Sequence, residues 1–313
     1  MSDLVTVGES TALFSTPNVG RMRDARSLEV SIAGAESNVS IGFCRLGRTC
    51  SWMGRVGDDE FGELILKTLR SEGVDTDAVR RDASKQTALM FKERRADNVV
   101  QVTYYRRNYA GSALGPEDVD DHKIESARML HVTGITMALS ESARAAVVHA
   151  VTVAKNAGVV VSLDVNYRSR LWTHAEAAAA IGPVAELADI VFAGDDELFV
   201  FGGGGLDEAK KLAQRGPREV IVKQGSRGAT SFSIEGTLVE PAVNIRAVDP
   251  VGAGDAFVAG YLVATLDGLD LAGRLRMGCA TGAFAASHYG DWECLPRRDD
   301  LEMLWRESGT TLR

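Results

Sequence analysis

Val248-Asp249-Pro250-Val251-Gly252-Ala253-Gly254-Asp255-Ala256-Phe257 places two glycines and a carboxylate where a loop runs into a segment of helical period. Backbone N–H groups at a helix N-terminus, backed by the positive end of the helix dipole, make a ready anion site. Glycines let such a backbone approach an anion without interference from a Cβ. A carboxylate in the same place repels a bound anion, so Asp255 needs a separate reason to be there. Two reasons are available. Either Asp255 caps the helix and Gly252 and Gly254 only shape a turn, or Asp255 takes a proton from a substrate hydroxyl. In the second case the hydroxyl lies beside a phosphoryl group held by the N–H groups of Gly252, Ala253 and Gly254.

Residues 249–257 resemble D-(T/P)-x-G-A-G-D-x-F, the C-terminal signature of the ribokinase (PfkB) family of sugar kinases. A second block lies upstream: Gly34-Ala35-Glu36-Ser37-Asn38-Val39, then Leu46-Gly47, then Gly54-Arg55-Val56-Gly57-Asp58-Asp59-Glu60-Phe61-Gly62. It is similar to the family's N-terminal pattern, G-(G/A)-x-x-N-x-A…L-G…G-x-V-G-x-D-x-x-G. Two long signatures in the right order and spacing are far more specific than either alone. The likeness runs from Val5 to Pro296. It implies a ribokinase-like α/β fold: a central, mostly parallel sheet flanked by helices, with a small β-sheet lid. It implies ATP and Mg2+ as cofactors, and leaves open a monovalent cation near the Asp249 loop, as in some relatives. Pro250 stands where many relatives carry Thr, which removes one N–H donor before the glycines and fixes φ.

Composition narrows the alternatives. A chain of 313 residues can bury a sizeable core, with room for a main domain and an insertion. Its net charge of −8 and lack of a long basic run argue against nucleic acid as the partner. No apolar stretch approaches a membrane span, and Met1-Ser2-Asp3-Leu4-Val5 lacks the pattern of a signal peptide. Cys44, Cys50, Cys279 and Cys294 have no metal-type spacing, and Cys44 and Cys50 read as reduced thiols of a cytoplasmic protein. His122, His131, His149, His174 and His288 are scattered and carry no assigned chemistry. No G-x-x-x-x-G-K-(S/T) exists, and the first strand ends at Val7-Gly8-Glu9 without G-x-G-x-x-G, so P-loop and dinucleotide folds are excluded.

Apolar runs at 4–7, 51–54, 129–132, 159–163, 190–193 and 220–223 read as buried strands. Helical spacing appears at 37–46, 61–70, 141–156, 175–187 and 206–214, and three consecutive helices follow at 256–266, 271–287 and 299–305. That alternation predicts a mostly parallel sheet with helices on both faces. Residues 11–32 and 86–107 break it. The latter hold two runs of β character, 87–92 and 99–106, around a polar tip at 94–98, which predicts a hairpin. The resemblance implies that residues 12–32 and 86–107 form the lid, and residues 1–11, 33–85 and 108–313 the kinase domain. It also implies that lids pair between two subunits, making a homodimer.

Lys223-Gln224-Gly225-Ser226-Arg227-Gly228 follows a strand and is similar to the family's ATP-contacting K-x-G-x-x-G turn, so Lys223, Gly225 and Gly228 are expected to line the nucleotide. The resemblance also puts Tyr289-Gly290-Asp291-Trp292-Glu293 beside the adenine. Ala193-Gly194-Asp195-Asp196-Glu197 corresponds to an N-x-x-E element that organises Mg2+; Gly194 replaces the Asn, and Glu197 remains to act through water. For Asp195 and Asp196 an acidic first turn of a helix explains as much.

Leu163-Asp164-Val165-Asn166-Tyr167-Arg168 ends a strand, where open α/β sheets bind ligands. Alternation along 99–106 puts Tyr104 and Arg106 on one face of a lid strand, able to meet Arg168 across a cleft. Two guanidiniums suit a carboxylate, which they grip bidentately, far better than a neutral sugar. The D-x-N-x-R and Y-x-R patterns resemble those of 2-keto-3-deoxygluconate kinases, whose substrate is a sugar acid. By the same resemblance Glu9, Gly34, Asn38 and Asn166 complete the sugar site, and ATP and a small sugar acid are the partners. The expected reaction is phosphorylation of the primary hydroxyl, with Asp255, an aspartate of ordinary pKa, as base. A kinase for fructose or ribose is the nearest alternative, and a sugar-binding regulator without catalysis a more distant one.

Overall fold

The computed structural model describes residues 2–96 and 99–305. Its strands in chain order are β1 (Leu4–Val7), β2 (Thr11–Ser15), β3 (Glu29–Ala33), β4 (Cys50–Met53), β5 (Arg55–Gly57), β6 (Arg80–Asp82) and β7 (Leu89–Ala96). There follow β8 (Val99–Tyr105), β9 (Met129–Thr133), β10 (Val160–Asp164), β11 (Ile190–Gly194), β12 (Glu219–Lys223), β13 (Ala229–Ser233) and β14 (Gly236–Glu240). The main sheet has the order β14-β13-β12-β11-β10-β9-β1-β4. All neighbours from β12 to β4 pair in parallel, and the β13–β14 hairpin adds an antiparallel edge. The chain moves out to one side of β1 for β4 and to the other for β9, so the strand order switches at β1, where a crevice opens at the strands' carboxyl ends.

Alternate residues of each central strand serve opposite cores. Val5, Val7, Val191 and Ala193 pack under the helices Glu141–Ala157, His174–Leu187 and Leu206–Leu212. Leu4, Ile190 and Phe192 pack under Ala35–Arg45, Ala253–Leu266 and Leu271–Ala286. Residues 256–264 are buried without a break, so Ala253–Leu266 is enclosed on all sides, as its continuous apolar sequence requires. That makes it a rigid base for anything at its N-terminus.

The residues that break the alternation form a second sheet, ordered β3-β2-β7-β8, with β2 and β7 parallel and the outer pairs antiparallel. Leu13, Ala33 and Met90 make a small core on its inner face, with Val102 and Tyr104 packed against it. On the outer face Phe14 stacks on Phe91, and Tyr105 meets Phe91 edge to face. Of the polar tip expected at 94–98, residues 97 and 98 lie outside the described residues.

Two differences from the periodicity have local causes. The strand expected at 51–54 stops at Met53, and Gly54 lies so close to the Trp52 ring and the Gly8 carbonyl that a Cβ there would meet them at 2.5 Å and 2.6 Å. The chain bends there into β5, which pairs with β6 instead of the main sheet. β14 has no apolar run of its own and exists through its pairing with β13.

Candidate active site

A cavity of about 640 Å³ lies between the carboxyl ends of the main sheet and the inner face of the small sheet. Its floor is the start of Ala253–Leu266. Gly252, at φ +77°, is the residue before the helix, and no side chain caps it. Any Cβ there would lie 2.3 Å from the Asp291 carbonyl oxygen, so both conformation and space demand glycine. Asp255 is the third helical residue. Its Oδ2 accepts from Asn38 Nδ2 at 2.9 Å, and the same amide donates to Asp291 Oδ1 at 2.7 Å. The carboxylate therefore turns towards Asn38, on the helix Ala35–Arg45, and the capping explanation fails.

Burial pushes the Asp255 carboxyl up to about 7, and the Asp291 and Asp164 charges add to it against the Asn38 hydrogen bond and Lys223. Burial likewise lifts Asp291 to about 6. The ordinary pKa expected for Asp255 is thus replaced by one suited to proton acceptance near neutrality. Nothing local in the sequence signals this, because it arises from carboxylates far apart in the chain.

Lys223, the last residue of β12, extends its ammonium to Asp164 Oδ2 at 2.6 Å and lies 3.6 Å from where a Cβ on Gly254 would be. Burial alone would depress it, but Asp164, Glu197 and Asp255 hold it above the usual lysine range. Asp164 Oδ1 is buried without a hydrogen-bond partner among the described residues. Glu197 accepts from Gly194 N–H and Tyr167 N–H, both at 2.7 Å, and burial followed by Asp164 raises its pKa. Among the described residues no three acidic, histidine or cysteine side chains converge as a ready metal site. A magnesium ion suits that arrangement only if phosphate oxygens and water supply most of its shell, as Mg2+ prefers.

Three expected residues do not line the cavity. Ala253 packs its side chain towards the buried cluster of Ile41, Trp52 and Ala256, leaving only its backbone for the floor. Gly225 belongs to the turn Gly225–Arg227. Gly228, at φ +93°, has Glu240 O 2.1 Å from its Cβ position, so its glycine secures the β13–β14 edge. Trp292 also stays out; its Nε1 donates to Ser31 Oγ at 3.0 Å. Arg94 stacks on Tyr289, 3.9 Å from the ring centre.

Glu9, Gly34, Asn38, Tyr104, Arg106, Asn166 and Arg168 all line the cavity. Arg106 is already engaged: its Nε donates to Glu9 Oε2 at 2.8 Å, Nη2 donates to the same oxygen, and the guanidinium lies 4.8 Å from the Tyr104 ring centre. Burial raises the Glu9 carboxyl and Arg106 opposes it. Asn166 takes the left-handed region, φ +41°, and turns the chain after β10 towards Arg168. Among the described residues Arg168 makes no ion pair; its Nη1 donates to the Tyr167 carbonyl at 3.2 Å. Sequence reasoning missed Arg170, which lines the cavity and donates to Val102 O of β8 at 2.7 Å. It quoted Asp164 and Asp291 within longer stretches but gave neither a place on the cavity floor.

The profile of pfkB family carbohydrate kinases matches residues 1–298. The 2-dehydro-3-deoxygluconokinase of Bacillus subtilis (strain 168) is 37% identical over 305 residues, spanning 96% of this chain and 94% of that protein. The enzyme of the same name from Thermoproteus tenax is 36% identical, spanning 97% and 94%. An E. coli protein provisionally called Ribokinase II, solved in complex with ATP and Mg2+, superposes with a TM-score of 0.90 at 26% identity, covering 97% of this chain and 99% of that one.

Proposed function

The chain belongs to the pfkB family of carbohydrate kinases, and on that premise we propose that it phosphorylates 2-keto-3-deoxygluconate (2-dehydro-3-deoxygluconate) or a close sugar acid with Mg-ATP. The phosphoryl acceptor is the primary hydroxyl. Asp255 is the general base, its raised pKa matching the pH at which it works. The N–H groups of Gly252, Ala253 and Gly254 stabilise the charge on the transferring phosphoryl, and the Lys223 ammonium beside Gly254 meets the phosphates. Gly225 and Gly228 border the nucleotide from the turn after β12. Glu197 would help hold Mg2+ through water, and the ion would supply positive charge to the phosphates. Glu9, Gly34, Asn38, Tyr104 and Asn166 hold the sugar.

The observation that carries the acid-sugar reading is Arg168, a guanidinium that makes no ion pair among the described residues and faces the same cavity as Asp255. With Arg106 opposite, it can grip a carboxylate. The Glu9–Arg106 pair favours a second reading, a neutral-sugar kinase, because Glu9 already neutralises that arginine. ADP release with Mg-ATP decides between them on a panel of 2-keto-3-deoxygluconate, its galactose-derived epimer, gluconate, fructose and ribose. Turnover confined to the keto-deoxy acids supports the first; turnover of fructose or ribose alone overturns it.

The same proposal divides the chain into a kinase domain (1–11, 33–85 and 108–313) and a lid (12–32 and 86–107) that excludes water on closing. Val30, Val99 and Tyr105 are 53%, 55% and 54% exposed on the lid's outer face, a surface suited to pairing two lids in a homodimer. No helix among the described residues is long and apolar enough to cross a membrane, and a cytoplasmic enzyme fits the metabolite and the four free thiols.

A further inference from the structure

Asp249 opens the loop that carries Gly252 and Gly254, and it is only 2% exposed. Its Oδ1 accepts from Val251 N–H at 3.1 Å, which shapes the turn directly before Gly252. Its own N–H donates to the Ala286 carbonyl at 3.2 Å, tying the loop to the end of Leu271–Ala286. A carboxylate this buried needs a compensating positive charge. That charge comes from the lid: Lys92, on β7, places its Nζ 2.9 Å from Asp249 Oδ2, with Arg94 Nη2 at 4.0 Å. The Lys92 side chain is itself 8% exposed. Its charge also reaches Asp291, which burial pushes up to about 6 and Lys92 draws down.

A dissociable monovalent cation does not fit here. Each oxygen of Asp249 already accepts one hydrogen bond, and a further cation on the carboxylate would sit against an ammonium. We propose that Lys92 is the resident cation of this loop, a positioning residue that does from the lid what a bound monovalent ion would do. It neutralises Asp249, fixes the turn that presents the N–H groups of Gly252 and Gly254, and makes their geometry depend on a seated lid.

The test compares wild type, Lys92→Ala and Lys92→Arg in chlorides of K+, NH4+, Na+ and tetramethylammonium at equal ionic strength, reading kcat and thermal midpoint. The activity half rests on the kinase reading; the melting half does not, so failure of one is distinguishable from failure of the other. Wild type is expected to vary by no more than about twofold across the salts, the range left to general screening. Lys92→Ala in tetramethylammonium is expected to lose about 10- to 100-fold in kcat, the scale for an ångström-level misplacement of reacting groups. K+ or NH4+ should restore part of that loss and raise the midpoint of Lys92→Ala alone, while Lys92→Arg behaves as wild type. Wild-type activity or midpoint that requires K+ overturns the proposal. So does Lys92→Ala with full kcat in tetramethylammonium, or with a loss that no cation changes. Should Lys92→Ala not fold, the wild-type salt series and Lys92→Arg still decide.

Discussion

The floor of the cavity is rich in buried carboxylates, whereas its lid wall brings in buried cations. Asp164, Glu197 and Asp255 crowd around one ammonium, Lys223, at the strand ends and helix start, and Asp291 joins Asp255 through the shared Asn38 amide. Lys92 and Arg106 come down from β7 and β8, and each neutralises a carboxylate of the body, Asp249 and Glu9. The contrast divides the labour of one reaction. Excess negative charge on the floor, desolvated, gives Asp255 its basicity and leaves the floor in need of Mg2+ and helix N–H groups to accept a phosphoryl. On the proposed reading the cation that adjoins the wall, Arg168, brings the positive charge an acidic acceptor needs, since Lys92 and Arg106 are each already paired with a carboxylate.

The sharpest way to break that division is Asp255→Asn. If the floor does the chemistry and the wall the recognition, kcat falls by about 10²–10⁴, the usual contribution of a positioned general base, while KM for the sugar acid barely moves. Full turnover would remove Asp255 from the mechanism. Next in size, Arg168→Ala is expected to cost about 2–5 kcal/mol in kcat/KM for the acid, the scale for truncating one partner of a desolvated charge pair, and little for a neutral sugar. Arg106→Ala should reduce turnover of acid and neutral sugars, because it leaves Glu9 buried without its partner, and of the acid more, because it also removes half of the carboxylate grip. An equal loss for both would show that Arg106 serves Glu9 and not the substrate.

The floor and the wall also differ in how much of each could be read before the fold was known. Gly252, Gly254 and Asp255 lie within four residues, so helix-start geometry and signature together made them legible. The parallel sheet was legible for a similar reason, since runs such as Ile190–Gly194 and Val220-Ile221-Val222 are continuous and apolar. Tyr104 and Arg106 could be placed on one strand face by alternation. Nothing short-range joins Lys92 to Asp249, 157 residues away, or Asn38 to Asp291, 253 residues away, and both contacts depend on how the two sheets meet. Gly228 shows the same limit from another side: its motif spacing was legible, but the close approach of Glu240 O that its missing Cβ permits was not.

The smallest expected effect tests whether the floor's basicity is stored in the folded state. Asp255 titrates near 7 when folded and near 3.8 when unfolded, so the folded protein holds this proton more tightly. Its contribution to stability is complete below 3.8 and is lost as the pH rises through about 7. Asp255→Asn removes the ionisable group, so at pH 8 it should stabilise the free enzyme by on the order of 2 kcal/mol, with the gain shrinking towards pH 5. Urea melts of both proteins across that range measure it. In wild type, kcat/KM should rise with pH through the same region as Asp255 loses its proton, and Arg168→Ala should lower the whole curve without moving its inflection. An Asn variant no more stable than wild type at pH 8 would mean that Asn38 and Lys223 already satisfy the ionised carboxylate. The floor would then owe its chemistry to placement alone, as the wall does.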